Sequence, residues 1–263
     1  MKKKEIFIIA AVILCFIVVA IVVATTGASN GGNNYVRLEI NPKMEFIVTK
    51  GKVVSYRAVN KEAKELLAKE EILGLSMEEA TEKFLELSAQ AGYLDVDGEN
   101  NAIKMTVISG LTQEDDVKVF RAAQKFLSKH EILGVIVQND NDMEVFKAAK
   151  RDKVSPDKYA LIKSAQELYP DKKDEELKKL SCKKLIELIK QGQNADSKEY
   201  TEEDLINKTK LIDFNRVKYE KHEEGITKES GREFGKKLKK FQEENLTAYE
   251  VEFSKKYNEW KNK

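Results

Sequence analysis

"VRLEINPKMEFIVTKGKVVSYRAVN", Val36 to Asn60, is the stretch of sequence that decides the fold. Apolar and polar residues alternate over its first six positions, which is the period-two pattern of a half-buried strand. After the Asn-Pro step, the chain predicts two further strands around a turn at Lys50-Gly51. Asn60 is a good N-cap for a helix that begins at Lys61. The stretch therefore predicts three consecutive strands followed by a helix.

The alternation of helix and strand patterns continues as far as Asp140. Ser76 and Glu79 have the spacing of a capping box for a second helix, and residues 101–109 alternate like a strand. A third amphipathic helix follows, and the apolar run "EILGVIVQND" predicts a last strand. We therefore expect an α/β fold class, with a small mixed α/β outer domain over residues 35–140.

The rest of the chain is predicted to be all helical. Residues 141–192 read as short helices, one of which begins with the strong start signal Ser155-Pro156. Residues 193–263 form a charged helical tail. Apolar residues recur there at three- and four-residue steps, namely Phe234, Leu238, Phe241, Tyr249, Phe253, Tyr257 and Trp260. Helices that pack on one another explain this stripe, and binding of a protein or cell-wall component is the alternative.

An uncharged apolar run, "IFIIAAVILCFIVVAIVVA", covers residues 6–24. As a helix it would reach roughly 28 Å, about the hydrocarbon thickness of a bilayer. The lysines at positions 2–4 precede it, so the positive-inside rule places the stub of residues 1–5 in the cytoplasm and the C-terminal domain outside the cell. We therefore expect a single-pass cell-membrane protein in which residues 25–34 form a flexible linker. A cleaved signal peptide is the alternative, although its apolar core is usually only about 7 to 15 residues long.

The composition argues against several classes of function. Lysines and arginines (46) nearly balance acidic residues (45), which disfavours nucleic-acid binding. Two cysteines, Cys15 and Cys182, and two histidines, His130 and His222, predict no disulfide, metal site or cofactor. Both histidines are expected at the surface or at helix ends. Since no conventional catalytic motif is present, we expect no enzyme beyond a single-turnover reaction of the chain on itself.

The Asn41-Pro42 bond is the place where the sequence suggests such a reaction. An asparagine side-chain amide can attack its own backbone carbonyl, form a succinimide and expel the nitrogen of the next residue. A faster competing reaction needs the next backbone N–H, which proline lacks. Cleavage then requires a fold that holds the side chain in near-attack geometry. The alternative is that Asn41 and Pro42 only mark a strand end, since both are ordinary turn residues.

The stretch "LEINPKMEFIVTKGKVVSYRAVNKEAKELL" after a single membrane helix resembles the extracytoplasmic middle domain of the RsgI family of membrane anti-sigma factors. Members of that family carry an aspartate-hydrophobic-Asn-Pro-Ser-hydrophobic-Glu motif, then a Gly-Lys-Val-hydrophobic turn and an Ala-hydrophobic-Asn helix start. The matching residues here are Glu39 to Glu45, Gly51 to Val54 and Ala58 to Asn60.

The resemblance implies transmembrane signalling by a chain that is cut at its Asn-Pro bond. Asn41 would be the nucleophile and Pro42 the new N-terminus. Glu39 lies on the same strand face as Asn41, and from this position we expect it to assist. The two pieces would stay together as adjacent strands until their separation leads to further proteolysis in the membrane. The expected partners are the membrane, from the apolar run, and an intramembrane protease or a separate signalling protein, from the resemblance.

The sequence departs from the family pattern in two places. Glu39 replaces the aspartate and Lys43 replaces the serine, so both a cleaved bond and an intact bond remain open. An intact bond would leave a membrane-anchored surface binding or structural module. Residues 1–5 are too short for the cytosolic anti-sigma domain with which family members begin. We therefore expect a truncated relative, half of a split system, or an outer module with a different output.

Overall fold

The computed structural model describes residues 33–108, 114–138, 143–195, 201–224, 230 and 232–245. The predicted membrane helix over residues 6–24 and the aromatic residues beyond position 245 lie outside these ranges. Among the helices within them, none is long and apolar enough to cross a bilayer.

In the part of the chain that the structure describes, five strands form one mixed sheet. They are β1 (Asn34–Glu39), β2 (Lys43–Thr49), β3 (Lys52–Ala58), β4 (Asn101–Ile108) and β5 (Gly134–Gln138). Their order across the sheet is β3-β2-β1-β4-β5. The strand β1 pairs antiparallel with β2 and β4, β3 pairs antiparallel with β2, and β5 runs parallel to β4. The first strand in sequence is therefore the central strand of the sheet.

The β2–β3 hairpin forms where the sequence predicts it. Lys50 and Gly51 have φ angles of 53° and 75°, and two such residues in succession suit the type I′ turn that matches the twist of a hairpin. The pairing of β2 with β3 shifts register between Ile47 and Val48, which marks a bulge. Both predicted strands and their turn are thus confirmed.

Nine helical segments lie within the described residues. They are α1 (Lys61–Leu67), α2 (Met77–Gln90), α3 (Glu114–Lys129), α4 (Met143–Arg151), α5 (Pro156–Leu168), α6 (Asp174–Lys179), α7 (Cys182–Ala195), α8 (Glu202–Glu224) and α9 (232–245). The predicted caps are confirmed: Asn60 caps α1, Ser76 and Glu79 make both bonds of a capping box on α2, and Ser155 caps α5. The helical region predicted for the C-terminal half is therefore present.

Helices cover both faces of the sheet. Side chains of α1, α2, α3, α8 and α9 pack on one face, where Val36, Leu38 and Phe46 are fully buried. The helices α5, α6 and α7 pack on the other face against Tyr35 and Ile47. The predicted alternation of β1 is confirmed, since Val36 and Leu38 are buried whereas Arg37 and Glu39 are partly exposed. The face that carries Arg37 and Glu45 is also covered by helices.

Candidate functional site at the Asn41-Pro42 turn

Asn41 and Pro42 lie in the short turn that connects β1 to β2. The turn begins after Glu39 and ends before Lys43, which are paired across the two strands. The backbone N–H of Ile40 donates a hydrogen bond to the carbonyl of Pro42 at 3.0 Å. Asn41 is exposed and Pro42 is buried. The proline thus lies outside the strand ladders, where its missing N–H removes no inter-strand hydrogen bond.

The side chain of Asn60 holds the backbone on both sides of the Asn41-Pro42 bond. Its Nδ2 group donates to the carbonyl oxygen of Asn41 at 2.7 Å. Its Oδ1 atom accepts from the N–H of Lys43 at 2.9 Å and from the N–H of Ala63 at 3.2 Å. The second of these bonds is the N-cap of α1. One amide therefore fixes the turn relative to the start of a helix.

Glu39, the residue predicted to assist, is an ion-pair partner of two cations. Its carboxylate oxygens lie 2.8 Å from Arg37 Nε and 2.9 Å from Lys43 Nζ. Burial alone would raise the pKa of Glu39, but the charges of Arg37 and Lys43 outweigh it and hold this pKa below its usual value. The carboxylate is therefore ionised at neutral pH. The two residues that depart from the family motif, Glu39 and Lys43, contact each other across the turn.

Glu45, at the end of the motif, is completely buried on the second face of the sheet. One carboxylate oxygen accepts hydrogen bonds from Tyr35 Oη at 2.8 Å, Arg37 Nη1 at 3.0 Å and Ser164 Oγ at 2.9 Å. The other accepts from Arg57 Nη2 at 3.0 Å. Two guanidinium groups compensate the buried charge, which would otherwise be very costly. Sequence analysis missed this cluster, because a glutamate between Met44 and Phe46 follows the ordinary alternation of a strand.

The Glu45 cluster joins residues from both sides of the Asn41-Pro42 turn. Tyr35 and Arg37 belong to β1, before the turn, whereas Glu45 and Ser164 follow it in the chain. Burial and the charge of Glu45 raise the pKa of Tyr35 well above its usual value. Its hydroxyl group therefore stays protonated and available as a donor. These contacts hold β1 in place independently of its chain connection to β2.

A metal centre finds no support in the part of the chain that the structure describes. No group of three or more histidine, cysteine, aspartate or glutamate side chains is placed there to hold a metal ion. The chemistry that the described site offers is that of amide, carboxylate and guanidinium groups around the turn.

Comparison with known proteins identifies one family. The family model described as the anti-sigma factor RsgI-like central domain matches residues 33–164, just over half of the 263-residue chain. A search of curated proteins found no match. The matched residues contain the whole five-stranded sheet, the Asn41-Pro42 turn and the four side chains that bond to Glu45.

Proposed function

Since this chain belongs to the family of proteins with an anti-sigma factor RsgI-like central domain, we propose that it is a membrane-anchored signalling protein whose outer domain is cut once at Asn41-Pro42. The family supports the signalling role. The position of the turn is the observation that supports the proposed cleavage. The Asn41-Pro42 bond connects two paired strands but lies outside the hydrogen-bonded part of both strands. Breaking it leaves both strands with all their hydrogen-bond partners.

The proposed reaction needs no reagent from outside the chain. The side-chain nitrogen Nδ2 of Asn41 forms a bond with the carbonyl carbon of the same residue, and the bond from this carbon to the nitrogen of Pro42 breaks. The proton lost by the amide ends on the proline nitrogen. The products are a C-terminal succinimide on Asn41 and a new N-terminus at Pro42. Water enters only later, when the succinimide hydrolyses.

The cut would divide the chain into pieces of unequal size. Residues 1–41 carry the predicted membrane helix and β1, and residues 42–263 carry the rest of the sheet and its helices. A pull on the larger piece, from a protein or cell-wall component bound to its C-terminal helices, would draw it away from β1. The short piece left in the membrane would then be open to an intramembrane protease, and a separate signalling protein would receive the output.

Intact mass and N-terminal sequencing of the full chain produced in membranes test this proposal, beside an Asn41→Ala variant. We expect a fragment that begins at Pro42 in the wild type and none in the variant. Before hydrolysis, the two fragment masses should sum to the mass of the intact chain, because no water is consumed. A wild-type chain that stays uncut under conditions where it is folded would overturn the proposed cleavage.

An anchored surface module with an intact bond is the second candidate function. The ion pair between Glu39 and Lys43 favours it, since both residues replace those of the family motif and together brace the turn. A Glu39→Asp, Lys43→Ser double variant restores the motif and separates the two candidates. Cleavage of the double variant with an uncut wild type would establish that these two residues suppress the reaction in this chain.

A further inference from the structure

The carbonyl group that the proposed reaction attacks accepts a hydrogen bond from a side-chain amide. From this contact we infer that Asn60 is a catalytic residue of the cleavage, with its Nδ2 group as the donor that stabilises the oxyanion on Asn41. The inference rests on the proposed cleavage at Asn41-Pro42. It assigns a chemical role to a residue that sequence analysis identified only as a helix cap.

The distance fits the role of an oxyanion donor. When Asn41 Nδ2 attacks the carbonyl carbon, negative charge develops on the carbonyl oxygen of the same residue. Asn60 Nδ2 already lies 2.7 Å from this oxygen. Donors that stabilise such a charge typically lie about 2.7 to 3.1 Å away and act best when they are oriented in advance.

The orientation of the Asn60 amide is set by its other partners. The Oδ1 atom faces two backbone N–H donors, those of Lys43 and Ala63, so the NH₂ group must occupy the opposite position toward Asn41. A flipped amide would place NH₂ against two donors and oxygen against the carbonyl. The correct orientation is therefore strongly favoured before any reaction begins.

The donor is also carried by rigid elements. Asn60 lies two residues after the end of β3 and caps α1, whose residues Ala63, Leu66 and Leu67 are buried. A hydrogen bond of 2.8 Å from Val59 N–H to the Lys43 carbonyl ties the same segment to the start of β2. Helix, strand and turn thus keep the amide and the carbonyl at a fixed separation, as electrostatic preorganisation requires.

The decisive variant is Asn60→Asp. The full chain is synthesised into lipid vesicles, and the fraction of chains cleaved at Asn41-Pro42 is measured as a function of time. Aspartate is as good an N-cap as asparagine and keeps both acceptor bonds, but at neutral pH it donates nothing to the Asn41 carbonyl. We expect cleavage to slow by about 100- to 1,000-fold, the usual loss for one oxyanion donor. Protonation of the new carboxyl below about pH 4 supplies a donor again, so the variant's rate relative to wild type should rise there.

A Ser76→Ala variant is the matched control for helix-cap loss. It removes the capping box of α2 and leaves the turn untouched, so its cleavage rate should equal that of wild type. If the Asn60→Asp chain fails to resist protease as the folded wild type does, Asn60→Ser keeps a cap acceptor on a shorter side chain. The same loss of rate is expected for it.

The outcomes separate this inference from the function on which it rests. An uncut wild type removes both. A wild type that cuts, beside a folded Asn60→Asp chain that cuts equally fast, leaves the proposed function intact and reduces Asn60 to a cap. A slow variant whose relative rate does not rise at low pH would mean that the turn itself is displaced, which also overturns the catalytic role.

Discussion

At the scale of single residues, Glu45 is the side chain whose loss should lower the stability of the fold most. It is completely buried and accepts hydrogen bonds from Tyr35, Ser164 and two guanidinium groups. Without this carboxylate, Arg37 keeps its ion pair with Glu39 and Arg57 keeps its ion pair with Glu167, but the buried donors lose a charged acceptor. We expect Glu45→Gln to lower the free energy of unfolding by about 1 to 3 kcal/mol, the usual cost of leaving buried donors without an acceptor. Urea titration in the uncut Asn41→Ala background measures it.

The control for this prediction is an ion pair on the surface. Arg216 and Glu220 approach to 2.7 Å on α8, but more than half of each side chain is exposed. Glu220→Gln should therefore leave the urea midpoint close to that of the parent protein, because solvent screens an exposed ion pair. Similar urea midpoints for the Glu45 and Glu220 variants would contradict the importance of the buried cluster.

We expect His130 to make the stability of the fold depend on pH. Its ring is 3% exposed at the end of α3, with Tyr219 Oη 3.2 Å from a ring nitrogen and Glu223 Oε1 3.4 Å away. Burial first, and then the nearby positive charges of Lys129 and His222, lowers the pKa of His130 to about 4. The folded protein therefore holds this histidine in its neutral form at physiological pH.

The direction of the pH effect follows from the unfolded state, where a histidine has a pKa near about 6.5. Preference for the neutral ring stabilises the fold fully above that pH, and this contribution is lost as the pH falls toward the folded pKa of about 4. At its largest it amounts to about 3 kcal/mol. Urea midpoints at pH 7 and pH 4.5 should differ less in His130→Gln than in wild type. An equal pH dependence in both proteins would contradict this role.

Features of single residues could be predicted from the sequence only where they depend on neighbouring positions. The Asn-Pro step and the cap at Asn60 depend on neighbouring positions, so both could be predicted. The bond from Asn60 to the Asn41 carbonyl spans 19 residues, and the bond from Ser164 to Glu45 spans 119, so no local pattern reveals them. His130 was expected at the surface or at a helix end. It lies at a helix end but is buried, because α8 returns over it.

At the scale of elements, the docking of α8 depends on a close approach at Gly92. This glycine follows α2 with a φ of 76°, and a Cβ atom added to it would lie 2.6 Å from Asn215 Oδ1 on α8. Asn215 Nδ2 donates to the carbonyl of Ala91 at 3.2 Å. We expect Gly92→Ala to reduce the free energy of unfolding by about 1 to 2 kcal/mol through backbone strain, with a further loss from the contact.

A double-mutant cycle separates the two causes, measured by thermal unfolding. Asn215→Ala removes the side chain that the new Cβ would meet, so the double variant should be more stable than the sum of the single losses predicts. The strain of the left-handed backbone remains in both backgrounds. Strictly additive losses would mean that Asn215 moves aside freely and that α8 does not depend on this approach.

Element boundaries could be predicted better than element placement. The helix starts at Ser76 and Ser155 are confirmed because a cap and its bonds lie within one turn of helix. The periodic pattern of α5 and α7 indicates one apolar face but does not specify what that face covers. That both helices pack on the sheet follows from long-range burial, since Ile162 and Ile189 share one buried cluster with Tyr35.

At the scale of the whole molecule, the strand that precedes the proposed cut lies in the middle of the structure. β1 is hydrogen-bonded to β2 from Asn34 to Glu39 and to β4 from Tyr35 to Glu39. Its residues Val36 and Leu38 are completely buried in one core, and Tyr35 is buried in the other. Withdrawal of β1 would open both cores and the Glu45 cluster together. The free energy that retains the short piece is therefore close to that of folding the domain.

This position predicts how a cut chain comes apart in detergent under urea. Separation of the two pieces, followed by size-exclusion chromatography, should occur at the same urea concentration as loss of the far-ultraviolet circular dichroism signal. The midpoint should rise with protein concentration for the cut wild type but not for Asn41→Ala, whose pieces are still joined. Release of residues 1–41 at a lower urea concentration, with the remaining signal unchanged, would contradict the prediction. It would mean that the sheet survives without its central strand, so that a weak local pull would be enough to start the signal. If the two transitions coincide, the pieces separate only when the whole domain unfolds, and the stability of the domain then sets the threshold for signalling.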